Sequence, residues 1–395
     1  MEIALERPGA VRLAALPPLG VYVHIPWCVR KCPYCDFNSH ERAGPLPEAA
    51  YVERLLRDLE ECLPWIWGRR ASSVFIGGGT PSLFSPAAID ALLSGLRARV
   101  PLDPQAEVTL EANPGTVEAA RFRGFRDAGV NRISLGVQSF EAPMLSALGR
   151  IHSGDEAVRA VEAALASFDN VNVDLMYGLP GQGVELARRD LERAIRLGVP
   201  HISAYQLTIE PNTVFWRRPP ALPEHDACAE MQLAAEGALG AAGYRQYETS
   251  AFARPGRESR HNLNYWRFGD YLGLGAGAHG KVSYPDRIMR HSRARQPAQY
   301  LSLADTLVEH REVPARELPF EFMLNALRLV EGFETPLFAE RTGLALTTIE
   351  RRLRAAEEKG LIERDWQRIR PTARGRRFLN DLLGLFLDDG SRSPE

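Results

Sequence analysis

Short apolar, β-branched segments alternate with amphipathic helical segments through the first half of the chain. The segments predicted as strands are residues 21–25, 73–77, 107–111, 132–136, 171–175 and 201–205. The segments predicted as helices between them are residues 48–62, 86–98, 116–128, 154–167 and 184–197. Strands and helices in this alternation form right-handed βαβ units, so the pattern predicts an α/β fold with a parallel sheet. Because a complete barrel of this type has eight units and the chain offers fewer, we expect a partial (β/α)6 barrel.

The alternation ends near residue 215, and the rest of the chain has two different patterns. Residues 243–291 are rich in Gly, Tyr and His, whereas from residue 317 helical segments lead to a strand–turn–strand segment at 361–371. Helices followed by a small β-wing resemble a winged-helix unit. The predicted division is an N-terminal extension (1–19), the barrel (20–215), a barrel-associated α+β segment (216–316), a winged-helix-like domain (317–386) and a flexible tail (387–395).

Winged-helix units often bind nucleic acids, but the charges here do not favour that function. Arginines on the third predicted helix of this domain, residues 347–360, are interleaved with glutamates. The whole chain carries 48 Lys and Arg residues against 50 Asp and Glu residues. This balance predicts a solvated surface used for packing or docking, and no nucleic-acid partner.

The densest chemical signal is a group of three cysteines, Cys28, Cys32 and Cys35, spaced C-x3-C-x2-C. Thiolates at this spacing can hold three irons of a [4Fe–4S] cluster, which normally takes four cysteines. The remaining iron would then be open to a substrate or cofactor, as catalytic metal sites keep a free position. The spacing therefore predicts an iron–sulfur cluster with an open coordination site.

Two other interpretations of the cysteines remain open from the residues alone. The three thiols could belong to a zinc site completed by His24, Asp36 or His40, or they could be ordinary free thiols. Zinc sites usually combine two separated C-x2-C pairs, and no second pair exists in the sequence, which favours the cluster.

The composition predicts a cytoplasmic protein. The chain has five cysteines, an odd number with three of them clustered, which fits a reducing compartment better than a disulfide framework. The N-terminal segment contains acids and prolines and lacks the apolar core of a secretory signal, and no segment approaches the length of a membrane span.

Glycine-rich and acidic motifs follow the predicted strands in the same way as the cysteines. Gly77, Gly78, Gly79 and Thr80 follow the second strand, and Glu111 ends the third. Functional groups of barrels lie on the loops after the strand C-termini, so these motifs should meet at one rim. A further glycine-rich motif at 275–280 matches G-x-G-x-x-G but does not open a βαβ unit, so a dinucleotide site there is given little weight.

The cysteine spacing, Tyr34 directly before Cys35 and the glycine loop resemble the radical S-adenosylmethionine (SAM) superfamily. The resemblance to its coproporphyrinogen-oxidase-like branch covers residues 20–385 and is carried by YVHIPWCVRKCPYCDF, IGGGTPS, EANPGT, RISLGVQSF, LGRIHS, DLMYGLPGQ and HISAYQLTIEP. HNLNYW at 261–266 matches a motif of the heme chaperones in this branch, and Phe37 stands where the oxidases have a further cysteine. The resemblance implies a heme chaperone; the alternative is an oxygen-independent coproporphyrinogen III oxidase.

The resemblance also implies roles for individual residues. It implies a cluster on the three cysteines and SAM contacts from Tyr22, Tyr34, Gly78, Gly79, Thr80, Glu111, Gln138, Arg150, Asp174 and Ala204. It implicates His261 as a heme ligand, which we expect on a mobile loop, with His24, His279 and His291 as rivals. Each of these residues also has a structural interpretation, such as helix capping for Glu111 and Asp174 or a satisfied buried histidine for His261.

The partners implied by the resemblance are an acceptor apo-hemoprotein, which could be membrane-associated, and an electron donor of the flavodoxin or ferredoxin type. The sequence leaves open whether the chain forms a homodimer and whether bound SAM is cleaved. No catalytic residue is predicted.

Overall fold

The structure, a computed structural model, describes residues 11–116 and 119–387. Among these residues the main sheet has twelve strands. They are β1 (Leu19–Ile25), β2 (Ala71–Gly78), β3 (Leu102–Ala112), β4 (Arg132–Gln138), β5 (Val171–Tyr177), β6 (His201–Gln206), β7 (Arg245–Glu248), β8 (Ala251–Ala253), β9 (Asp270–Leu274), β10 (His279–Tyr284), β11 (Arg287–Arg293) and β12 (Leu307–Glu312).

Strands β1 to β6 pair in sequence order and are parallel, which confirms the predicted barrel. The order across the whole sheet is β12-β11-β10-β9-β1-β2-β3-β4-β5-β6-β8-β7. The structure adds a strand to the prediction at the other edge of β1, where β9 runs parallel from Leu19↔Asp270 to Val23↔Leu274. Antiparallel strands then extend both edges, so the sheet is longer than the six-stranded barrel expected.

The helices follow the strands closely where the sequence pattern was periodic. Their bounds are α1 (Glu48–Cys62), α2 (Pro86–Arg99), α3 (Ala119–Asp127), α4 (Ala142–Ala147), α5 (Gly154–Leu165), α6 (Val184–Leu197), α7 (Val214–Arg217), α8 (His225–Ala241), α9 (Arg260–Trp266) and α10 (Pro297–Ser302). The buried face of α1 contributes Tyr51, Leu55 and Leu59 to a core that also contains Val21 and Val23 of β1. The helices therefore cover one face of the sheet, and the other face is free to line an interior.

The inner face of the barrel carries polar side chains, which alternate along the strands with the apolar side chains that face the helices. Ser134 on β4, Asn172 and Asp174 on β5 and Ser203 on β6 belong to it. Helix α9 lies against the same face near β1 and β2. Its closeness is shown at Gly20, where an added Cβ would lie 3.2 Å from the His261 ring. The site is thus enclosed by the strands, the cysteine loop and α9.

The C-terminal part forms a second unit with its own apolar core. Its elements are α11 (Leu318–Ala326), β13 (Phe333–Glu334), α12 (Thr335–Thr342), α13 (Glu350–Glu358), β14 (Ile362–Arg364), β15 (Arg368–Pro371), α14 (Ala373–Arg377) and α15 (Leu379–Gly384). The strands form a three-stranded sheet in the order β13-β15-β14, which provides the expected wing. Val11 and Leu13 of the N-terminal segment pack into this core, although they are remote in sequence.

The predicted domain boundaries remain predictions. Residues 1–10 of the predicted extension and residues 388–395 of the predicted tail lie outside the described residues. Within the described ranges, no helix combines the length and the apolar character needed to cross a bilayer.

Candidate functional site

A cavity of about 480 Å³ lies at the C-terminal ends of the barrel strands, where the sequence placed the site. Eleven of the predicted site residues line it: Cys28, Cys32, Tyr34, Cys35, Gly78, Gly79, Thr80, Glu111, Gln138, Arg150 and Asp174. These residues come from four strands and from the loops that follow them. The fold therefore brings the predicted cluster ligands and most of the predicted cofactor contacts to one place.

The cysteine loop connects β1 to α1 and is tied down by its own backbone. Trp27–Cys28 pairs with His40–Glu41 in a short parallel ladder. Lys31 closes the loop from outside, because its ammonium donates to the carbonyls of Phe37 and Ser39, both at 3.2 Å. Neither end of the loop is left free, so the three thiols are held in a defined arrangement.

Each cysteine sulfur faces a polar group of the cavity. The Thr80 hydroxyl lies 3.7 Å from the Cys28 Sγ, and the Ser39 Oγ lies 3.6 Å from the Cys35 Sγ. The guanidinium of Arg150 donates to the Cys32 Sγ at 3.7 Å. Donors next to sulfur stabilise thiolates and tune an iron–sulfur cluster, so these groups fit the predicted cluster.

The zinc interpretation fits the structure less well. His24 is buried and both of its ring nitrogens are occupied, by the Tyr22 hydroxyl at 2.8 Å and the Asn38 carbonyl at 2.9 Å. In the described part of the chain, no group of three or more His, Cys, Asp or Glu side chains is arranged around a single metal ion. A cluster does not need such convergence, because each thiolate binds a different iron.

The glycine loop after β2 depends on the absence of side chains. Gly78 has a φ of +118°, which L side chains rarely adopt, and a Cβ there would lie 2.7 Å from the His24 ring. A Cβ on Gly79 would lie 2.7 Å from the carbonyl oxygen of Trp27. The loop can therefore pass directly under the cysteine loop, and its backbone forms part of the cavity wall.

Two carboxyl groups, Glu111 and Asp174, lie in the wall opposite the thiols. Burial, and then the charge of Asp174, raises the pKa of Glu111 to about 8, although the Gly78 amide donates to its Oε2 at 3.0 Å. Burial also raises the pKa of Asp174, against hydrogen bonds from Asn172 at 2.8 Å and Ser134 at 3.1 Å. A raised carboxyl pKa in a cavity marks a site where a cationic or hydroxyl-bearing ligand would be stabilised.

Arg150 and Asn113 link the glycine loop to the far strands. Arg150 donates to the Asn113 Oδ1 at 2.6 Å and to the carbonyl of Gly136, and Asn113 donates to the Thr80 Oγ1 at 2.8 Å. Gln138, at the end of β4, has a φ of +70°, a strained conformation for a residue with a side chain. Strain of this kind clusters at functional sites, and Gln138 lines the cavity.

Two predicted SAM contacts are placed differently. The side chain of Tyr22 points to an adjoining cavity and stacks on Phe75 with ring centroids 6.2 Å apart. Ala204 belongs to the apolar core on the outer face of β6, and only its neighbours Ser203 and Tyr205 line the cluster cavity. Because side chains alternate along a strand, Ala204 faces the helices. Their roles stay predictions.

His261 makes contacts typical of a structural residue, and its role as a heme ligand stays a prediction. It lies in α9 rather than on a loop, and it is 1% exposed. Its Nδ1 pairs with the Ser73 hydroxyl at 2.8 Å and its Nε2 with the Tyr265 hydroxyl at 2.9 Å. Burial lowers the pKa of His261 to about 3, so the ring is neutral. Neither nitrogen is free for a metal in this arrangement, and the expectation of a mobile loop was wrong.

Glu107 explains why α9 is held inside the barrel. Its carboxylate accepts from the backbone amides of Arg260 at 3.1 Å and His261 at 3.0 Å, at the N-terminus of the helix. A negative charge at a helix N-terminus satisfies amides that have no partner in the helix. The HNLNYW motif therefore closes the interior of the barrel, and Asn262 reaches the cluster cavity from it.

A second cavity of about 530 Å³ adjoins the first and shares Asp36, Phe37, Gly78 and Glu111 with it. Phe37 is 60% exposed, an unusual position for a large aromatic ring. The other walls are aromatic and basic, with Tyr22, Tyr265, Trp266, Phe268, Tyr271, His279, Lys281, Arg290 and Arg295. The glycine motif at 275–280 spans the connection between β9 and β10 and the start of β10, and its residues Gly277 and His279 line this cavity.

Sequence reasoning missed several residues of the cluster cavity: Arg30, Phe37, Asn113, Arg132, Ser134, Asn172, Tyr205 and Asn262. Asn172 could have been predicted, because it lies two residues before Asp174 on the same strand and so faces the same side of the sheet. Ser134 is the residue paired with Asn172 on the neighbouring strand, so it faces that side too. Asn262 could not be placed by such a pattern, because α9 comes from a distant part of the chain.

The cavity has the donors that an iron–sulfur cluster and SAM require. Three thiols border an open cavity, the backbone approaches through glycines, and buried carboxyl groups and Arg150 face the space that remains. These donors suit a cluster with a bound amino-acid cofactor. A partial (β/α)6 barrel with this cavity at its rim defines a radical SAM protein.

The comparisons with known proteins agree. The model of the radical SAM superfamily matches residues 22–194, and the model of the HemN C-terminal domain matches residues 313–378. The chain is 51% identical to the heme chaperone HemW of Escherichia coli, over 95% of this chain and 100% of that protein. It is 48% identical to the heme chaperone HemW of Haemophilus influenzae, over 95% of this chain and 99% of that protein. The chain therefore belongs to the HemW family.

The solved structure of coproporphyrinogen III oxidase (HemN) from Escherichia coli, a radical SAM enzyme, resembles the whole chain. The TM-score is 0.79, with 94% of this chain and 90% of that chain covered, at 22% sequence identity. At this identity the likeness establishes the shared fold, including the C-terminal unit, and does not transfer the activity.

Proposed function

We propose that the chain is a heme chaperone that carries a [4Fe–4S] cluster and SAM, binds heme and transfers it to acceptor hemoproteins. The observation that carries the proposal is the 51% identity to a heme chaperone across nearly the whole chain, with every predicted cluster cysteine in the cavity. The aromatic second cavity beside the cluster supports it, because flat apolar walls suit a porphyrin.

The residues would divide the work as follows. Cys28, Cys32 and Cys35 would hold the cluster, and the iron without a protein ligand would be open to SAM. Gly78, Gly79 and Thr80 would meet the methionine part of the cofactor, and Tyr34 would pack on its adenine. Glu111 suits an ammonium group or a ribose hydroxyl, because a bound cation would lower its raised pKa and restore the ionised carboxylate, a strong acceptor. Gln138, Arg150 and Asp174 would complete the contacts to SAM, with Tyr22 and Ala204 behind them.

The proposed partners are an acceptor apo-hemoprotein, which could sit in a membrane, and a flavodoxin- or ferredoxin-type electron donor. The proposed compartment is the cytoplasm, where thiols stay reduced. A homodimer is compatible with this function. No nucleic-acid partner is proposed, because the surface of α13 carries mixed charge: Glu350 pairs with Arg354 of the same helix at 2.8 Å and with Arg364 of β14 at 2.7 Å.

The test uses one anaerobically reconstituted preparation in two assays. Ferric heme is added, the excess is removed, and transfer to an apo-cytochrome is followed by absorbance. In parallel, coproporphyrinogen III is supplied with SAM and a reductant, and protoporphyrinogen is measured. We expect heme transfer without decarboxylation. Turnover of coproporphyrinogen without heme retention would replace the proposal with the oxidase function.

A further inference from the structure

The cysteine loop packs against the short helix α7. The backbone amide of Phe215 in α7 donates to the carbonyl of Pro33 at 3.0 Å, and the rings of Phe215 and Tyr34 lie 6.4 Å apart. Pro33 directly follows Cys32, one of the predicted cluster ligands. Helix α7 is therefore one backbone contact away from the cluster site.

A turn from the barrel reaches the same part of the cysteine loop. An added Cβ at Gly149 would lie 3.0 Å from the ring of Pro33, and the next residue, Arg150, donates to the Cys32 Sγ at 3.7 Å. Ile151 follows in the same turn and points its side chain to solvent. The outer surface next to Cys32 is thus formed by the cysteine loop, this turn and α7.

We refer to Ile151, Val214, Trp216, Arg217 and Arg218 as the α7 surface. Its three apolar side chains are each more than half exposed. Single exposed apolar residues are ordinary, whereas a group of them indicates a surface that a partner covers. Tryptophan is also enriched among the residues that contribute most to binding in protein interfaces.

The charge of the α7 surface is basic. Arg217 and Arg218 are exposed, and within the described residues neither guanidinium forms an ion pair or a hydrogen bond. The surrounding residues 211–223 contain both arginines and no Asp or Glu. Complementary charges steer association, so this surface would attract an acidic partner.

The position of the α7 surface distinguishes between the possible partners. None of its five residues lines the cluster cavity or the second cavity. A protein that accepts heme has to reach the second cavity, whereas a protein that delivers an electron only has to approach the thiols. A second copy of the chain would present the same arginines and be repelled. The surface is also small, as in transient electron-transfer complexes, which bury less than about 1,200 Å².

We propose that the α7 surface is the docking site of an acidic protein that donates single electrons to the cluster. This proposal rests on the proposed function, because it assumes that the cysteines hold a [4Fe–4S] cluster. With a flavin carrier, the anionic hydroquinone loses one electron and becomes the neutral semiquinone. The cluster gains that electron and passes from [4Fe–4S]²⁺ to [4Fe–4S]⁺, and no atom is transferred.

The experiment mixes the cluster-loaded protein with an acidic flavodoxin in its hydroquinone form and follows the cluster absorbance by stopped flow. We expect Arg217→Glu/Arg218→Glu to lower the second-order rate constant by about tenfold at low salt. Added salt should slow the wild-type reaction more than that of the variant. Reduction by dithionite, which needs no docking, should be equally fast in both proteins.

A matched control changes the charge by the same amount at the opposite end of the barrel. Arg196 and Arg245 are exposed there, and Arg245 pairs with Ala253, which pairs with His201 at the start of β6. Arg196→Glu/Arg245→Glu should react with flavodoxin at the wild-type rate. Equal rate constants in this control and in Arg217→Glu/Arg218→Glu would overturn the proposal.

Binding gives a second readout that does not depend on the cluster. Calorimetric titration of the cluster-free protein with oxidised flavodoxin should show a Kd raised about tenfold in Trp216→Ser. If the variants of the α7 surface react normally with flavodoxin but lose heme transfer or self-association, the surface serves an acceptor or a second copy, and the proposal is wrong. A wild-type protein that retains no heme would overturn the chaperone function, while the difference between the two double variants would still decide the docking site.

Discussion

Replacement of His261 by alanine should strongly destabilise the heme-free protein. The imidazole connects Ser73 on β2 with Tyr265 on α9, and its ring stacks on Phe75 with centroids 5.2 Å apart. The substitution removes both hydrogen bonds and leaves a void under α9. The perturbation therefore tests whether the motif serves to fix this helix inside the barrel.

The magnitude follows from the environment of each partner. The Ser73 hydroxyl is fully buried, so the loss of its partner costs about 1–3 kcal/mol. Tyr265 borders the second cavity, where a water molecule can replace the histidine as the partner of its hydroxyl. The loss of the hydrogen bond to Tyr265 therefore costs less than the loss of the one to Ser73. With the void left by an aromatic ring, we expect a decrease of roughly 3–5 kcal/mol in the free energy of unfolding.

The assay is urea unfolding of heme-free protein, with two matched variants. His261→Phe keeps a ring between Phe75 and Tyr265 but loses the hydrogen bonds, so it should cost about 1–3 kcal/mol. His225→Ala, an exposed histidine, should change the free energy by less than about 0.5 kcal/mol. A loss below about 1 kcal/mol for His261→Ala would refute the structural role.

Three further predictions concern the cluster and two buried acids. Cys28→Ala should abolish iron retention and the iron–sulfur absorption, whereas Cys228→Ala, a buried thiol outside the cavity, should keep both; equal iron content in the two variants would contradict the cluster assignment. The contribution of Glu111 to the free energy of unfolding is complete below its ordinary pKa of 4.5 and is lost as the pH rises to about 8. Without cofactors, the free energy of unfolding of Glu111→Gln relative to wild type should therefore increase by roughly 2–4 kcal/mol from pH 5 to pH 7.5. An equal difference between the two proteins at both pH values would contradict the raised pKa. Asp270→Asn should lower the free energy of unfolding by about 3–5 kcal/mol, measured by heat or urea. In the wild-type chain the Asp270 carboxylate lies 2.7 Å from the fully buried ammonium of Lys281, which the substitution leaves without this counter-charge. An unchanged unfolding midpoint would show that the pair is not needed.

The barrel could be predicted because each of its units is local. Apolar alternation in β1 to β6 and the 3.6-residue pattern of α1 and α6 depend on neighbouring residues, and the predicted bounds of both helices were confirmed. The cysteine, glycine and acidic motifs share a rim because parallel strands end at the same side. Their convergence therefore followed from the topology.

The elements that were not predicted are those set by distant contacts. The pairing of β9 with β1 joins residues about 250 positions apart, Leu19 and Asp270, and no local pattern specifies that register. The position of His261 depends in the same way on Ser73 and Glu107, which come from other strands. The contacts of His261 hold α9 in place, and its predicted role as a heme ligand stays a prediction.

The central claim is that three thiolates hold a cluster whose open iron binds SAM. The most direct measurement is electron paramagnetic resonance of the anaerobically reconstituted, reduced protein before and after SAM is added, with metal analysis of the same sample. We predict about four iron atoms per chain and a spectrum that changes with SAM. Zinc in place of iron, or an iron–sulfur spectrum that SAM leaves unchanged, would contradict the claim.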